Sequence, residues 1–361
     1  MAMRRHGPRF HHRFCQHHWK PPLLGFFEDG VDGIVFKPVP DPPNRIPTRR
    51  FHLRLHSICG VIGSAARLLG CRHGRALVIN FLRKVLIVIA PITGTVLCVP
   101  FLPKLKTDSF ITGTVLCAAA DHDHVHGSCH SSPFKVVLLS MSNRGPQPAF
   151  AHVCSSETVV WSDLISTPTP PKFCHTDSHG SLIGNALYWL CRGGDYILKF
   201  DLEGHNLAVI RAPPITNDVC YHNGSHQIIQ AVDGALGLAI LSHNGHTIQM
   251  WQKEVNSQSV NKWFLWQTIE IHNIHGLPAQ IEGKNARLIF ILGYAEDTDG
   301  ILLYMDDGVY MVQLKLMQSR KLCERPPKDH FHSFESFYMP GTTIDRGYVR
   351  AEMLCGRRYI G

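Results

Sequence analysis

The sequence predicts an all-β protein, a β-propeller of five or six blades made of short antiparallel sheets. The first observation is the periodicity of the apolar runs. Residues 196–202 (YILKFDL) and 309–316 (VYMVQLKL) alternate apolar and polar side chains, as strands do when they bury one face of a sheet. The second observation is the content of 30 glycines and 23 prolines in 361 residues. Such frequent turn residues argue against a helical bundle, and an apolar content of 44% excludes a disordered chain.

The third observation is a loose repeat of strand-rich units. The units begin near five positions, which are Cys71, Pro133, Leu182, Gln227 and Arg287. Each contains three or four strand-like runs, and their spacing is close to the ~40–50 residues of a propeller blade. The tight-turn pairs Asn-Gly (244–245) and Asp-Gly (307–308) separate apolar runs and predict hairpins within the units. Double prolines cannot lie inside a sheet, and they mark links at 170–171, 213–214 and 326–327.

The segments outside these units fit the same fold. Residues 23–55 contain the runs LLGFF, IVFKP and FHLRL, which we expect to complete the blade that closes the ring. Residues 85–102 carry no charge and are long enough to resemble a membrane span. However, prolines 91 and 100 and many β-branched residues favour two strands joined by a turn at Pro91–Gly94. We therefore expect no membrane partner.

The charge of the chain is concentrated at its start. The formal net charge is +8, and residues 1–54 contain ten Lys and Arg against four Asp and Glu. A basic arm can contact phosphates, so binding of nucleic acid by residues 1–54 is one hypothesis, with an affinity that falls steeply with salt. No nucleic-acid-binding module follows the arm, and we expect a solvated leader.

The cysteines and the first residues predict the cellular location. None of the twelve cysteines forms a CxxC pair, and several lie in apolar runs, where cysteine acts as a small hydrophobic residue. The start of the chain has no apolar segment typical of a signal peptide. Both observations favour a reducing compartment, and we expect a cytoplasmic or nuclear location.

Motifs of catalysis and cofactor binding are missing from the sequence. GxSxG, GxGxxG, the P-loop and HExxH do not occur, so we expect no enzyme activity, no catalytic residues and no cofactor. The one dense group of metal-ligand residue types is the run 121–130 (DHDHVHGSCH). On an extended strand His122, His124 and His126 would share one face, and Cys129 could approach them to bind zinc. No second ligand pair stands out elsewhere, so we expect a solvated, histidine-rich loop without a bound metal, and a metal site at these four residues is the alternative.

Several segments together resemble a known family. They are FHHRFCQHHWKPPLLGFF (10–27), GCRHGRALV (70–78), VHGSCHSSPFKVVLL (125–139), SLIGNALYWL (181–190), KFDLEGHNLAVI (199–210), DGALGLAILS (233–242) and IFILGYAEDTDGILL (289–303). In this order they resemble plant F-box proteins that carry an F-box-associated β-propeller, over residues ~10–340. The resemblance implies a basic leader similar to the end of an F-box (1–22), the propeller (23–340) and a C-terminal tail (341–361).

In that family the F-box docks on the Skp adaptor of a cullin-type ubiquitin ligase, and the propeller is thought to hold the substrate. The resemblance therefore implies a substrate-recognition module with a protein partner. An F-box needs a leucine-rich amphipathic run to bind the adaptor, and residues 1–22 contain no leucine. We expect binding to the Skp adaptor and cullin only if an F-box is supplied upstream. The alternative function is a metal-binding or hydrolytic propeller that uses the loop 121–130.

Overall fold

Six β-sheets surround a central channel in the computed structural model of the chain, and each sheet forms one blade of a β-propeller. The fold is all-β, as predicted, with six rather than five blades. The structure describes residues 13–15, 17–30, 33–39, 46, 51, 53, 66–102, 109–119, 124–142, 147–167, 179–191, 194–214, 224–254, 262–278, 289–305, 308–324, 331–338 and 352–353.

The strands follow one another blade by blade along the chain. The two strands that precede the first complete blade are β1 (Leu23–Gly30) and β2 (Gly33–Pro38). The first blade contains β3 (Ala66–Arg72), β4 (Arg75–Asn80), β5 (Val85–Ala90) and β6 (Thr95–Pro100). The second contains β7 (Ser109–Cys117), β8 (Phe134–Ser142), β9 (Phe150–Ser155) and β10 (Ile165–Ser166). The third contains β11 (Ser181–Ile183), β12 (Ala186–Leu190), β13 (Tyr196–Asp201) and β14 (Asn206–Arg211).

The remaining strands complete the ring. The fourth blade contains β15 (His226–Gln230), β16 (Leu236–Leu241), β17 (Thr247–Lys253) and β18 (Trp263–Glu270), followed by a short 3-10 helix (Ile271–Asn273). The fifth contains β19 (Phe290–Ala295), β20 (Gly300–Met305), β21 (Gly308–Gln313) and β22 (Gln318–Cys323). The last two strands are β23 (Phe331–Glu335) and β24 (Glu352–Met353).

The sixth blade joins the two ends of the described chain and closes the ring. Its strand order is β2-β1-β23, and Gly25 of β1 lies opposite Phe334 of β23 in antiparallel register. Leu53 forms a bridge to Ile34 of β2 and extends the blade outward. This arrangement agrees with the expectation that the runs in 23–55 complete the closing blade.

The core consists of six apolar clusters among the described residues, one between each pair of neighbouring blades. The cluster between the first and second blades, for example, joins Leu77 and Ile79 of β4 to Val115 of β7. The cluster between the sixth and first blades joins Phe334 of β23 to Val78 of β4. Every blade is therefore packed on both faces, and the stability of the ring depends on all six contacts.

Burial on both faces explains the uncharged stretch 85–102. Strands β4 and β5 are buried along their whole length, because alternate side chains enter the clusters on either side of the first blade. The predicted hairpin is confirmed: β5 and β6 pair across a turn in which Gly94 has φ 74° and its N–H donates to the carbonyl of Ala90. Among the described residues no helix is both long and apolar enough to cross a membrane.

The predicted starts of the blades are correct at four of five positions. The innermost strands begin at Ala66, Ser109, Ser181, His226 and Phe290. The prediction of a unit starting near Pro133 was wrong, because that residue precedes the second strand of its blade. The strand that the prediction missed is β7. The sequence ITGTVLC occurs twice in the chain, at 92–98 and at 111–117, and the second copy lies in β7. The first copy (92–98) begins in the turn after β5 and enters a strand only at Thr95.

The predicted turn signals are confirmed where the structure describes them. The Asn-Gly pair (244–245) connects β16 to β17, and Gly245 has φ 70°, a conformation that glycine adopts without steric cost. The prolines at 213–214 lie between the third and fourth blades. Asp307 and the double prolines at 170–171 and 326–327 lie outside the described residues. Of the tail 341–361, the structure describes β24, which pairs in parallel with β6.

Seven of the described cysteines are in the thiol form, namely Cys15, Cys71, Cys98, Cys117, Cys129, Cys154 and Cys323. Cys191, which follows β12, is disulfide-bonded. Disulfides persist mainly in oxidising surroundings, so this bond departs from the reducing environment that the sequence favours.

Candidate functional site

The innermost strands of the blades end together at one mouth of the channel. Arg72 and Glu335 are the last residues of β3 and β23, Gln230 is the last residue of β15, and Glu296 follows β19. All four side chains line a cavity of about 200 Å³. We call the side of the ring marked by these four residues the Arg72 face, and the other side the opposite face.

Arg72 connects four blades across the channel. Its Nε donates to Oε2 of Glu296 at 2.8 Å and its Nη2 donates to Oε1 at 2.5 Å. Nη1 donates to the hydroxyl of Thr114 on β7, and Nη2 also donates to the carbonyl of Gly180 beside β11, at 2.7 Å. Glu296 accepts a further bond from the N–H of Leu182 at 2.8 Å. A planar guanidinium with several donors is suited to such a junction, so we interpret this ion pair as a structural strut.

A second carboxyl group at this mouth is held by the loop between β19 and β20. Glu335 accepts hydrogen bonds from the N–H groups of Asp297 (3.1 Å) and Thr298 (2.8 Å) and from the Thr298 hydroxyl (2.8 Å). Burial and the nearby charge of Asp297 raise the pKa of Glu335 to about 8. Burial, followed by the charge of Glu296, raises the pKa of Asp297 to about 6. Burial and Asp297 therefore favour the protonated form of Glu335, whereas the hydrogen bonds from Asp297 and Thr298 favour its carboxylate.

Beside the channel, two thiols and two imidazoles meet at the Arg72 face. They are Cys117, the last residue of β7, and three residues of the loop that leads to β8, namely His124, His126 and Cys129. One donor atom from each lies within 4.8 Å of the other three. The Nε2 atom of His124 lies 3.2 Å from Sγ of Cys117 and 3.1 Å from Sγ of Cys129. Nδ1 of His126 lies 3.6 Å from Sγ of Cys129.

The surroundings of this group fix its side chains. The ring of His73 stacks on that of His126, with centroids 3.9 Å apart and planes 11° apart. Nδ1 of His73 accepts a hydrogen bond from the N–H of Cys117 at 2.9 Å. The hydrogen bond between the two sulfurs lowers the pKa of Cys117, and the same bond, together with burial, raises the pKa of Cys129.

The loop that carries these residues is anchored to the closing blade. The carbonyl of Gly127 accepts hydrogen bonds from the Ser336 hydroxyl (2.7 Å) and from the N–H of Phe337 (3.1 Å). Gly127 has φ 94°, and a side chain there would come within 2.6 Å of Pro21. A residue other than glycine would thus be strained and would collide with the chain that enters β1.

The structure brings together three of the four residues proposed as ligands from the sequence. His124, His126 and Cys129 lie in one group, whereas His122 lies outside the described residues. The fourth member, Cys117, was missed because it precedes the histidine-rich run and belongs to a strand that the sequence analysis did not identify. The turn-forming residues between 118 and 133 could have indicated Cys117 as a member of the group. A turn after a strand brings the end of that strand close to the residues that follow the turn.

Comparison with known proteins found a family model that matches most of the chain. A family model described as "F-box protein AT5G49610-like, beta-propeller" matches residues 67–340. No curated protein matches the chain.

Solved structures with similar folds share little sequence with the chain. Hsv2 of Kluyveromyces lactis is 13% identical with a TM-score of 0.34, over 88% of this chain and 98% of that one. A chain of the nidogen/laminin complex is 9% identical with a TM-score of 0.40, over 85% and 96%. The WD40 domain of SCAP from fission yeast is 14% identical with a TM-score of 0.36, over 73% and 56%.

Proposed function

Because the chain belongs to the F-box protein AT5G49610-like β-propeller family, we propose that it recognises a protein partner through the loops of its Arg72 face. The observation that carries this proposal is the match of the family model over residues 67–340. In this function the propeller performs no bond chemistry of its own. It acts as the substrate-recognition part of a cullin-type ubiquitin ligase, and ubiquitin transfer is carried out by the ligase that it serves.

Exposed apolar side chains support the Arg72 face as the surface that binds the partner. Trp19 is 74% exposed, Val232 67% and Leu316 59%. Trp19 precedes β1, Val232 follows the innermost strand β15, and Leu316 lies in the turn between β21 and β22. All three positions are loops of the Arg72 face, on three different blades. Aromatic and apolar side chains in such positions are the usual anchors of protein interfaces.

The interior of the channel is a poorer candidate for recognition. The side chains of Arg72 and Glu296 are 8% and 22% exposed and are paired with each other. A partner that entered the channel would have to replace these bonds, and breaking a buried ion pair is costly. We therefore place the contact on the loops around the mouth rather than within it.

The face can be tested with two matched variants. We expect proximity labelling in cells to give the same enriched proteins for the wild type and for Leu82→Asp, whose side chain is exposed in the turn between β4 and β5 on the opposite face. The triple variant Trp19→Ala, Val232→Asp, Leu316→Asp should reduce their enrichment about tenfold or more, since anchor residues contribute about 2 kcal/mol or more each. Equal enrichment in the triple variant, or loss only in Leu82→Asp, contradicts the proposal.

Binding to the adaptor is a separate question. We propose that these 361 residues do not bind the Skp adaptor by themselves, because residues 1–22 contain no leucine that could form the apolar face of an adaptor-binding helix. Gel filtration of the purified chain with the adaptor tests this directly. We expect two separate peaks, and a stoichiometric complex would overturn the proposal. A fusion of an F-box to the N-terminus is the positive control.

The location follows from the same proposal. A receptor of a ubiquitin ligase works in the cytoplasm or the nucleus, and the free thiols of the described residues are compatible with a reducing compartment. The disulfide of Cys191 is the observation that opposes it. Imaging of the tagged chain provides the test, and exclusive localisation to the secretory pathway would contradict a cytoplasmic or nuclear receptor.

A further inference from the structure

The group formed by Cys117, His124, His126 and Cys129 has the dimensions of a metal site. Zinc binds sulfur at ~2.3 Å and imidazole nitrogen at ~2.0–2.1 Å, so the donor atoms of a tetrahedral site lie about 3.3–3.8 Å apart. Three of the four sulfur–nitrogen distances in this group are 3.1, 3.2 and 3.6 Å, and all four donor atoms lie within 4.8 Å of one another. Shifts of about 1 Å bring such an arrangement to the edges of a zinc-centred tetrahedron.

His124 lies between the two sulfurs of the group. Its Nε2 atom lies within 3.2 Å of both Cys117 Sγ and Cys129 Sγ. A thiol is only a weak hydrogen-bond donor and acceptor, so hydrogen bonds to the two sulfurs hold this ring weakly. A cation at the centre of the group satisfies both sulfurs and the nitrogen simultaneously.

The chemical types of the four donor atoms indicate which metal ion the group would bind. Two thiolates and two neutral imidazoles form the Cys2His2 set, which favours zinc over hard cations such as magnesium or calcium. With four protein ligands no position remains open for water or substrate, so the chemistry is structural rather than catalytic. Two thiolates also neutralise the charge of a divalent ion.

Hydrogen bonds from neighbouring groups hold the two cysteines in place. The N–H of Ala119 donates to Sγ of Cys117 at 3.5 Å, and the Cys117 N–H itself donates to His73. The buried Arg75 donates to the carbonyl of Ser132 at 2.5 Å and to that of Cys129. Such bonds orient the residues that ligate a metal.

We propose that Cys117, His124, His126 and Cys129 bind one structural zinc ion, which fixes the loop between β7 and β8 against the closing blade. The ion would tie the end of the second blade to the loop whose Gly127 carbonyl binds Ser336 and Phe337. His73 of the first blade stacks on the ligand His126. The site would thus support three blades at the junction where the ring closes.

The first experiment measures metal in the full chain, purified with reductant from zinc-supplemented medium. We expect about one zinc per chain by elemental analysis. Exchange with cobalt should give the visible bands of a tetrahedral ion together with sulfur-to-cobalt charge transfer, which report both geometry and thiolate ligation. Less than about 0.1 metal ion per chain contradicts the proposal.

Variants then test the ligands. Cys117→Ser and Cys129→Ser should each lose zinc and the charge-transfer band. His126→Ala should bind zinc more weakly, and because this side chain is exposed the fold should remain intact. Cys323→Ser changes a half-buried cysteine of β22, on a different blade from the proposed ligands, and should keep a full equivalent of zinc. Equal loss in Cys323→Ser would show that the effect is not specific to the site and would overturn the proposal.

His122→Ala distinguishes the structure-based ligands from those suggested by the sequence. We expect His122→Ala to retain zinc and Cys117→Ser to lose it. The reverse result would overturn the proposed ligand set. A Cys117–Cys129 disulfide in the freshly reduced protein, detected as a mass lower by two hydrogens, would also overturn it, because oxidised cysteines cannot act as thiolate ligands.

Discussion

Arg72 and Glu296 form a bidentate ion pair that joins the first blade to the fifth across the central channel. The two hydrogen bonds measure 2.8 and 2.5 Å, and the residues are 224 positions apart in the sequence. Since Arg72 also binds Thr114 and Gly180, the pair holds innermost strands that no direct strand pairing connects. Its removal should therefore affect the whole ring rather than one blade.

Substitution of Arg72 by Met should destabilise the protein strongly. It leaves Glu296 as an uncompensated charge, and removing one partner of a buried pair costs about 3–5 kcal/mol. Adding Glu296→Gln to Arg72→Met should recover part of the loss, since it removes the charge but keeps an acceptor for the Leu182 N–H. Urea unfolding of the single and double variants measures both effects.

The control for this prediction is the exposed pair of Lys315 and Asp299. Lys315 is 65% exposed, and a surface ion pair contributes ~0–1 kcal/mol. We expect Lys315→Met to change the free energy of unfolding by less than about 1 kcal/mol. Similar losses for Arg72→Met and Lys315→Met would show that the pair in the channel has no special structural role.

Stability should depend on pH through Glu335. Burial and the charge of Asp297 raise its pKa from 4.5 to about 8 in the folded protein, so between these values the folded state binds more protons than the unfolded state. The contribution of Glu335 to stability is fully present below about pH 4.5 and is lost as the pH rises through about 8. Asp297 and Arg72 are charged groups that interact with Glu335 at this mouth, and Glu296, Lys20 and His126 act on Asp297.

Glu335→Gln should reduce this pH dependence. The amide stays neutral and keeps one oxygen that can accept the bonds from Thr298, so the variant should gain stability relative to the wild type as the pH is raised from 5 to 8. Thermal melts at several pH values give the comparison. Glu157→Gln, at an exposed position between β9 and β10, should follow the wild-type curve. A Glu335→Gln curve parallel to the wild type would refute the assignment.

Phe334 should be essential for ring closure. Its ring is 1% exposed and lies 5.3 Å from that of Phe27 and 6.1 Å from those of Phe36 and Phe51. Phe334→Ala removes the centre of this cluster and should cost about 3–5 kcal/mol. Limited proteolysis should also release the N-terminal strands sooner, because β1 and β2 are held by this contact.

Phe264 on the outermost strand β18 provides the matched substitution. It is 43% exposed and belongs to no apolar cluster among the described residues, so Phe264→Ala should cost less than about 1 kcal/mol. The two alanine variants remove the same side chain, and their unfolding curves compare burial directly. Equal midpoints would contradict the importance of the aromatic cluster.

Much of the fold could be predicted because strands and tight turns are local features. Alternation in residues 196–202 and the Asn-Gly turn at 244–245 are determined by neighbours in the sequence. The two copies of ITGTVLC show the limit of this approach. Residues 92–94 form a turn whereas the identical residues 111–113 lie in β7, so the packing of the whole blade decides between the two conformations.

The candidate sites were harder to predict because they depend on distant contacts. Nothing near Arg72 in the sequence indicates Glu296, since the two meet only when the ring forms. Cys117 was hard to predict as a member of the group for the same reason. It approaches His124 and Cys129 only because β7 ends beside a loop that returns to β8. Residue types alone indicated a possible ligand set, of which His124, His126 and Cys129 lie together in the structure.

The pairing of β1 with β23 has a consequence for synthesis of the protein. A ribosome makes Gly25 about 300 residues before Phe334, so β1 and β2 must wait without their partner while five blades fold behind them. A nascent chain therefore carries an open sheet edge until Phe331–Glu335 emerges, and such edges favour aggregation. Premature termination before Phe331 should leave an open ring, and we expect chaperones to associate with the chain during this interval.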